Sequence, residues 1–350
     1  MKLYLVSNMY PSAKNVRYGI FVKRFREAIE KDYDITEIVL TKKKSLIAKG
    51  LGYFILYLKV IKLWFIVKEK DIVYVHFPLY FSPVLLPLTW KKTTLVLNFH
   101  GSDAIFETPL KRVLATALKP ILSRSNIVVP SAFFQKEIQD VFNSTIKSIF
   151  VYPSGGVNGK IFYPKKTASK TFVFGFVSNF IETKGWSVFL NALIMLKASD
   201  KITRFEAIMV GDGTDLEKIR EQIKSKELPV MLIKSVKQDQ LVDIYRRFNV
   251  FVFPTYRESL GLVGIEAMMC GIPVIASRVQ GPMDYMEQGY NGYLFNMGDS
   301  KDLAEKMMKF YRLSEEEKEK MSLHCLETSK KYDNIKVKKE LLTWLKTINL

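Results

Sequence analysis

The segment 249–277 restricts the fold more than any other part of the chain. Residues 249–253 hold a short apolar run, and Pro254 stops it because proline has no N–H for a sheet ladder. A polar loop with Glu258 and Gly261 follows. A helix is expected from near Leu262 to Gly271, a residue that suits a helix C-cap. Pro273 then opens a second buried strand, 274–277. The loop lies where a strand's carboxyl end meets a helix amino end, the place where open α/β sheets bind ligands. The helix end offers free N–H groups and a positive dipole, which suit a phosphate. Glu258 and Glu266 flank that anion site. Phosphate repels carboxylate, so the two glutamates should face neutral hydroxyls. A sugar nucleotide supplies both, a diphosphate between two hydroxyl-rich rings.

Glu258, seven residues, Glu266 and then Ala267-Met268, two residues, Gly271 and Pro273 resemble the signature of glycosyltransferase family 4. The resemblance extends over nearly the whole chain. Tyr10-Pro11-Ser12 and Gly19-Ile20-Phe21-Val22 resemble an acceptor-side glycine loop. His100-Gly101-Ser102-Asp103 resembles the family's His-Gly-x-Asp motif, and 153–164 resembles its interdomain linker. In the second half, Lys184-Gly185 and Gly211-Asp212-Gly213 also match. Family members carry an arginine five residues before the lysine, where this chain has Asn179. The diphosphate would then lack one cation, leaving more to Lys184, with Arg257 and Lys234 as candidates to fill the gap.

The resemblance implies an α/β chain of GT-B architecture, two doubly wound Rossmann-like domains facing across a cleft. The expected division is 1–157 on the acceptor side and 158–332 for the nucleotide sugar, with 333–350 a helix crossing back. It implies a retaining hexosyltransferase that uses a nucleoside diphosphate sugar, UDP-sugar being the commonest donor. The acceptor would be a saccharide, lipid-linked, in cell-surface polysaccharide synthesis. Glu258 would hold the transferred sugar, Glu266 the ribose, and the N–H groups of Gly261, Leu262 and Val263 the phosphate. Lys184 would stabilise the leaving diphosphate. Asn179 and Gly211 would line the donor site, His100 would approach the donor sugar, and Gly19 would belong to the acceptor-side loop. No cofactor or metal is expected.

Charge and hydropathy point the same way. The formal net charge is +18. Residues 1–157 hold 23 Lys and Arg against 11 Asp and Glu, a net +12, so most of the field lies in the first half. Such a surface attracts polyanions or an anionic membrane. Lys42, Lys43 and Lys44 precede an apolar stretch, 52–67, with Lys49, Lys59, Lys62 and Lys70 in one sector of a helix. Two readings stay open: a core helix with a solvated lysine stripe, or a lipid-facing helix rich in Phe54, Leu58, Trp64 and Phe65 with a basic rim. The one uncharged run longer than 18 residues, 72–90, is broken up by Pro78, Pro83 and Pro87, so no spanning helix is expected, and the opening apolar run is too short for a signal peptide. With two cysteines and no disulfide framework, a cytoplasmic protein is expected, peripheral on the inner membrane face. Alternatives are a nucleotide-sugar hydrolase or epimerase, an inactive transferase, or a basic protein that binds nucleic acid or lipid. No nucleic-acid motif is present, so nucleic acid is not expected.

Overall fold

The computed structural model describes residues 2–16, 18–142, 146–165, 171–199, 202 and 204–349. Residues 166–170 of the expected polar linker lie outside them. The chain divides into two compact units, Met1–Gly155 with Ile335–Leu350, and Gly156–Asn334.

In the first unit the strands are β1 (Lys2–Tyr10), β2 (Asp34–Thr41), β3 (Ile72–His76), β4 (Thr94–Asn98), β5 (Asn126–Val129) and β6 (Ser148–Val151). Its helices are α1 (Ile20–Ile29), α2 (Leu46–Ile66), the short α3 (Ser82–Leu85), α4 (Pro109–Leu122) and α5 (Ala132–Phe142). The strands pair in parallel in the order β2-β1-β3-β4-β5-β6. Every residue of β3 and of β5 is buried, because helices cover both faces of a parallel sheet. The chain runs from β1 out to β2 and returns to β3, so strand order reverses between β1 and β3. Ser7 and His76 face each other across that point.

The second unit holds β7 (Phe172–Val177), α6 (Trp186–Lys197), β8 (Phe205–Gly211), α7 (Leu216–Ser225), β9 (Val230–Lys234), α8 (Gln238–Tyr245) and β10 (Val250–Phe253). After these come α9 (Leu262–Met269), β11 (Val274–Ser277), β12 (Gly292–Phe295), α10 (Ser300–Tyr311) and α11 (Glu315–Ser329). Its parallel sheet has the order β12-β11-β10-β7-β8-β9. Here the reversal falls between β7 and β10. The last helix, α12 (Asn334–Thr347), buries Val337, Leu341 and Leu345 in the first unit's core, among Leu3, Leu5, Val22, Phe25 and Tyr74.

Helix α2 departs from the expected lysine stripe, and from the lipid-facing reading at Trp64. It ends at Ile66, so Lys70 is not on it. Gly52, Leu56, Val60 and Leu63 face the core, and Leu56 and Val60 pack with Ile38 and Leu40. The opposite face is not a lysine stripe. It exposes Ile47, Leu51, Phe54, Leu58 and Phe65. Trp64, expected to face outward, is half-buried against the core with the Lys91 ammonium 5.2 Å from its ring centroid. Among the described residues no helix is long and apolar enough to cross a membrane.

Candidate active site

In the second unit a pocket of about 280 Å³ opens at the carboxyl ends of β7, β8, β9 and β10. It spans the strand-order reversal between β7 and β10, where the loops after the two strands part and leave a crevice. Its wall includes Ser178, Asn179, Lys184, Gly211, Glu258 and Val263.

Lys184 and Glu258 are 74 positions apart, and two loops bring them together. The Tyr256 N–H donates to the Thr183 carbonyl at 3.0 Å, tying the loop after β10 to the turn before α6. Thr255 donates its hydroxyl to the Arg257 carbonyl at 2.9 Å and stiffens the same loop. As a result Lys184 Nζ lies 2.7 Å from Glu258 Oε2. Each side chain is about one-fifth exposed, so the pair is accessible to a ligand from the pocket. Lys184 lies in a 3-10 turn just ahead of α6, and Gly185 occupies the N-cap in the left-handed region, φ 70°. A Cβ on Gly185 would lie 1.8 Å from the Pro254 carbonyl oxygen, so these loops meet backbone to backbone.

Gly261 is the N-cap of α9 at φ 85°, a conformation L side chains rarely adopt. A Cβ there would also meet the Phe253 ring at 2.6 Å. The buried Tyr285 hydroxyl donates to the Gly261 carbonyl at 3.2 Å, and the Gly281 N–H donates to the Glu258 carbonyl at 3.1 Å. These bonds fix the loop whose first helical N–H groups, at Leu262 and Val263, have no acceptor within the helix. Val263 lines the pocket, which places an anion-binding helix end beside the Lys184–Glu258 pair.

Glu266 stands one turn further along α9 and is 6% exposed. Gln238 Nε2 donates to its Oε1 and the Tyr245 hydroxyl to its Oε2, each at 3.1 Å. Tyr245 is fully buried, and burial followed by the Glu266 charge holds its hydroxyl protonated well above the ordinary tyrosine range. Glu266 is not among the residues lining the 280 Å³ pocket, but α8, which carries Gln238, supplies Leu241 to that wall. No local spacing links Gln238, Tyr245 or Tyr285 to the loop, so their partnership is not legible in the sequence.

One sequence expectation needs correction. Neither Arg257 nor Lys234 lines the pocket, so among its described lining residues Lys184 is the one cation. Asn179 does line it, exposed and uncharged. Gly211 lines it too, but a Cβ would sit 1.9 Å from the Ser178 carbonyl oxygen, so packing between two loops already requires glycine there.

In the first unit His100 follows β4 and meets His76 at the end of β3. His100 Nε2 and His76 Nδ1 are 2.8 Å apart, and the rings stack with centroids 5.1 Å apart. Phe21 and Phe77 contact the His100 ring, each at 4.6 Å between centroids. Burial lowers the His100 pKa to about 3 and that of His76 well below its usual value, so both rings are neutral near pH 7. Asp103 Oδ1 accepts the His100 backbone N–H at 2.8 Å and so orients the loop. Burial raises the Asp103 carboxyl to about 7. His76 is thus the direct partner of the candidate histidine. Gly19 caps α1 at φ 72°, and a Cβ would come within 2.6 Å of the Met9 carbonyl. It borders a shallow cavity of about 510 Å³ with Asn15, Tyr18 and Lys42. Among the described residues no group of three His, Cys, Asp or Glu side chains is placed to hold a metal ion.

Residues 159–323 match the family described as glycosyl transferases group 1. An uncharacterized glycosyltransferase of Methanocaldococcus jannaschii is 27% identical over 246 residues, 68% of this chain and 64% of the relative. The capsular polysaccharide biosynthesis glycosyltransferase of Staphylococcus aureus is 31% identical over 147 residues, 41% of this chain and 38% of that protein. The chain therefore spans less than two thirds of the length of either. The crystal structure of Anabaena HepE in complex with UDP superposes with a TM-score of 0.71 at 18% identity, covering 99% of this chain and all of that one. Residues 159–323, just under half of the chain, are thus similar to the glycosyl transferases group 1 family, and the two parallel sheets are those of the GT-B fold.

Proposed function

We propose that this protein transfers a hexosyl group from a nucleoside diphosphate sugar to a saccharide acceptor with retention at the anomeric carbon. The observation that carries the reading is the Lys184–Glu258 pair beside the amino end of α9, at the strand-order reversal of the second sheet. UDP-sugar is the first donor to test, and the Anabaena structure with UDP supports it.

In this reading Glu258 accepts hydrogen bonds from the donor sugar and Glu266 from the ribose. Lys184 and the N–H groups of Gly261, Leu262 and Val263 stabilise charge as it develops on the leaving diphosphate, the electrostatic term expected to be largest. The bond from the anomeric carbon to the diphosphate oxygen breaks. A bond to the acceptor oxygen forms on the same face, and the leaving phosphate takes the acceptor proton. His100, neutral and held by His76 and Asp103, is a hydrogen-bonding ring for a sugar hydroxyl. Lys184 and the helix end carry the neutralisation, so turnover is expected to survive a chelator.

The acceptor we infer is lipid-linked, in cell-surface polysaccharide synthesis, with the enzyme peripheral on the inner membrane face. The apolar outer face of α2 and the capsular polysaccharide relative support that part. A thermal-shift panel of nucleoside diphosphates and their sugars tests the donor, since a specific ligand raises the melting temperature by mass action. Incubating the stabilising sugar nucleotide with and without a lipid-linked saccharide then tests the reaction. Sugar release or epimerisation at the same rate without acceptor would overturn the transferase reading.

A further inference from the structure

The first unit contains a second cavity that sugar transfer does not use. It measures about 530 Å³ and lies at the amino ends of β4 and β5, opposite the sheet edge that carries His76 and His100. Lys70, Lys91, Lys92, Arg124 and Lys147 line it, against one carboxylate among its described lining residues, Glu69. Glu69 is a weak counter-charge, 3.9 Å from Lys92 with both side chains mostly in water. The neutral groups of the wall are already engaged. The Thr93 hydroxyl donates to the Asp71 carbonyl, and the Thr94 hydroxyl donates to Asn349 Oδ1. Five cations around one cavity repel each other, and a multiply charged anion with several acceptor oxygens relieves that repulsion. Phosphoryl groups have this chemistry.

The lip of the cavity indicates where the phosphoryl group comes from. Trp90, 66% exposed, directly precedes Lys91, and Phe65, 70% exposed, ends the outer face of α2 just before Glu69 and Lys70. Phe65 belongs to the same exposed apolar row of α2 as Leu58, Phe54, Leu51 and Ile47. Aromatic and aliphatic groups beside a ring of lysines match the layering of a bilayer surface, acyl chains next to phosphates. We propose that this cavity seats the phosphoryl headgroup of an anionic membrane lipid, with Phe65 and Trp90 entering the interface beside it. The inference rests on the peripheral-membrane part of the reading above and adds the headgroup site to it.

Vesicle flotation of the full chain tests it. The variants are a cavity triple, Lys91→Gln, Arg124→Gln and Lys147→Gln, and a charge-matched triple elsewhere, Lys224→Gln, Lys226→Gln and Lys301→Gln. With phosphatidylcholine vesicles containing a minor share of phosphatidic acid, the cavity triple should bind about 100-fold more weakly than the parent, about fivefold per cation near the surface. The second-unit triple should change binding little, because none of its residues lines the cavity. Binding to pure phosphatidylcholine, the melting temperature and turnover of a soluble acceptor should be unchanged in the cavity triple. Short-chain phosphatidic acid should stabilise the parent against heat more than inorganic phosphate at equal concentration, and the cavity triple should lose that gain. Equal loss in the two triples would sink the headgroup site and leave the membrane reading standing. Stabilisation by inorganic phosphate as large as by the lipid would make the cavity a free-phosphate site instead. Failure of the parent to bind either vesicle would overturn both.

Discussion

Replacing Lys184 by methionine separates catalysis from architecture at this site. The substitution keeps the length of the side chain and removes the ammonium. Its partner in the free protein is Glu258, at 2.7 Å with both groups about one-fifth exposed. A pair so accessible to water contributes about 0–1 kcal/mol to folding. For a unit of this size that corresponds to a fall of at most about 2–4 °C in melting temperature. The kinetic effect should be far larger. Lys184 is the one cation among the described pocket residues, and in the proposed reaction the leaving diphosphate gains further negative charge beside it as the sugar bond breaks. Removing a single preorganised donor from such a position costs about 10²–10³ in kcat, or about 2.7–4 kcal/mol. Because the interaction belongs to the transition state, kcat and kcat/KM should fall together. The assay is initial-rate product formation with the sugar nucleotide chosen by thermal shift, alongside melting curves. Lys184→Arg should recover part of the rate. A kcat within threefold of the parent, or a loss of more than about 8 °C with unchanged kcat, would refute the reasoning.

Glu266→Ala should weaken nucleotide binding at least tenfold while the sugar-free protein stays folded, measured by titration calorimetry with the diphosphate; unchanged affinity would remove the ribose role. Gly185→Ala should destabilise the second unit by several kcal/mol, about the scale of strain at a special backbone position, because its Cβ would overlap the Pro254 carbonyl; a melting curve like the parent's would contradict this. The His100 pKa is lowered to about 3 in the folded state, so the unfolded chain takes up the proton first and this group costs stability as pH falls below about 6.5. His100→Asn removes that cost, so its stability deficit at pH 8 should shrink by about 1.4 kcal/mol per pH unit between pH 6.5 and 5. A deficit that stays constant with pH would mean the ring is not buried neutral.

Much of the second unit was legible in the sequence because its signals are local. Pro254, Gly261, Gly271 and Pro273 punctuate one strand–loop–helix–strand segment within a few residues of where β10, α9 and β11 begin and end. What could not be read is whatever depends on pairing across the fold. Tyr245 and Gln238 reach Glu266 from α8, 21 and 28 positions away, and no periodicity announces such a contact. The His76–His100 contact follows from parallel pairing of β3 with β4, in which His76 lies opposite Asn98 and His100 comes two residues later. Nothing in the spacing of His76 and His100 along the chain shows that β3 and β4 are neighbours. Helix α2 gave the opposite difficulty. It is apolar on nearly every side, so only the positions of Leu56, Val60 and Leu63 against Ile38 and Leu40 decide which face is left to solvent.

The return of α12 sets an order of assembly. The core that Leu3, Val22 and Tyr74 begin is closed by Val337, Leu341 and Leu345, which the ribosome adds more than 250 residues later. The whole of Gly156–Asn334 is made in between and holds its own hydrophobic clusters. The segment synthesised second can therefore reach its native state before the one synthesised first. Until α12 arrives, the nascent first unit presents an open apolar groove beside β1 and β3, the face most exposed to chaperones or to misassembly during synthesis.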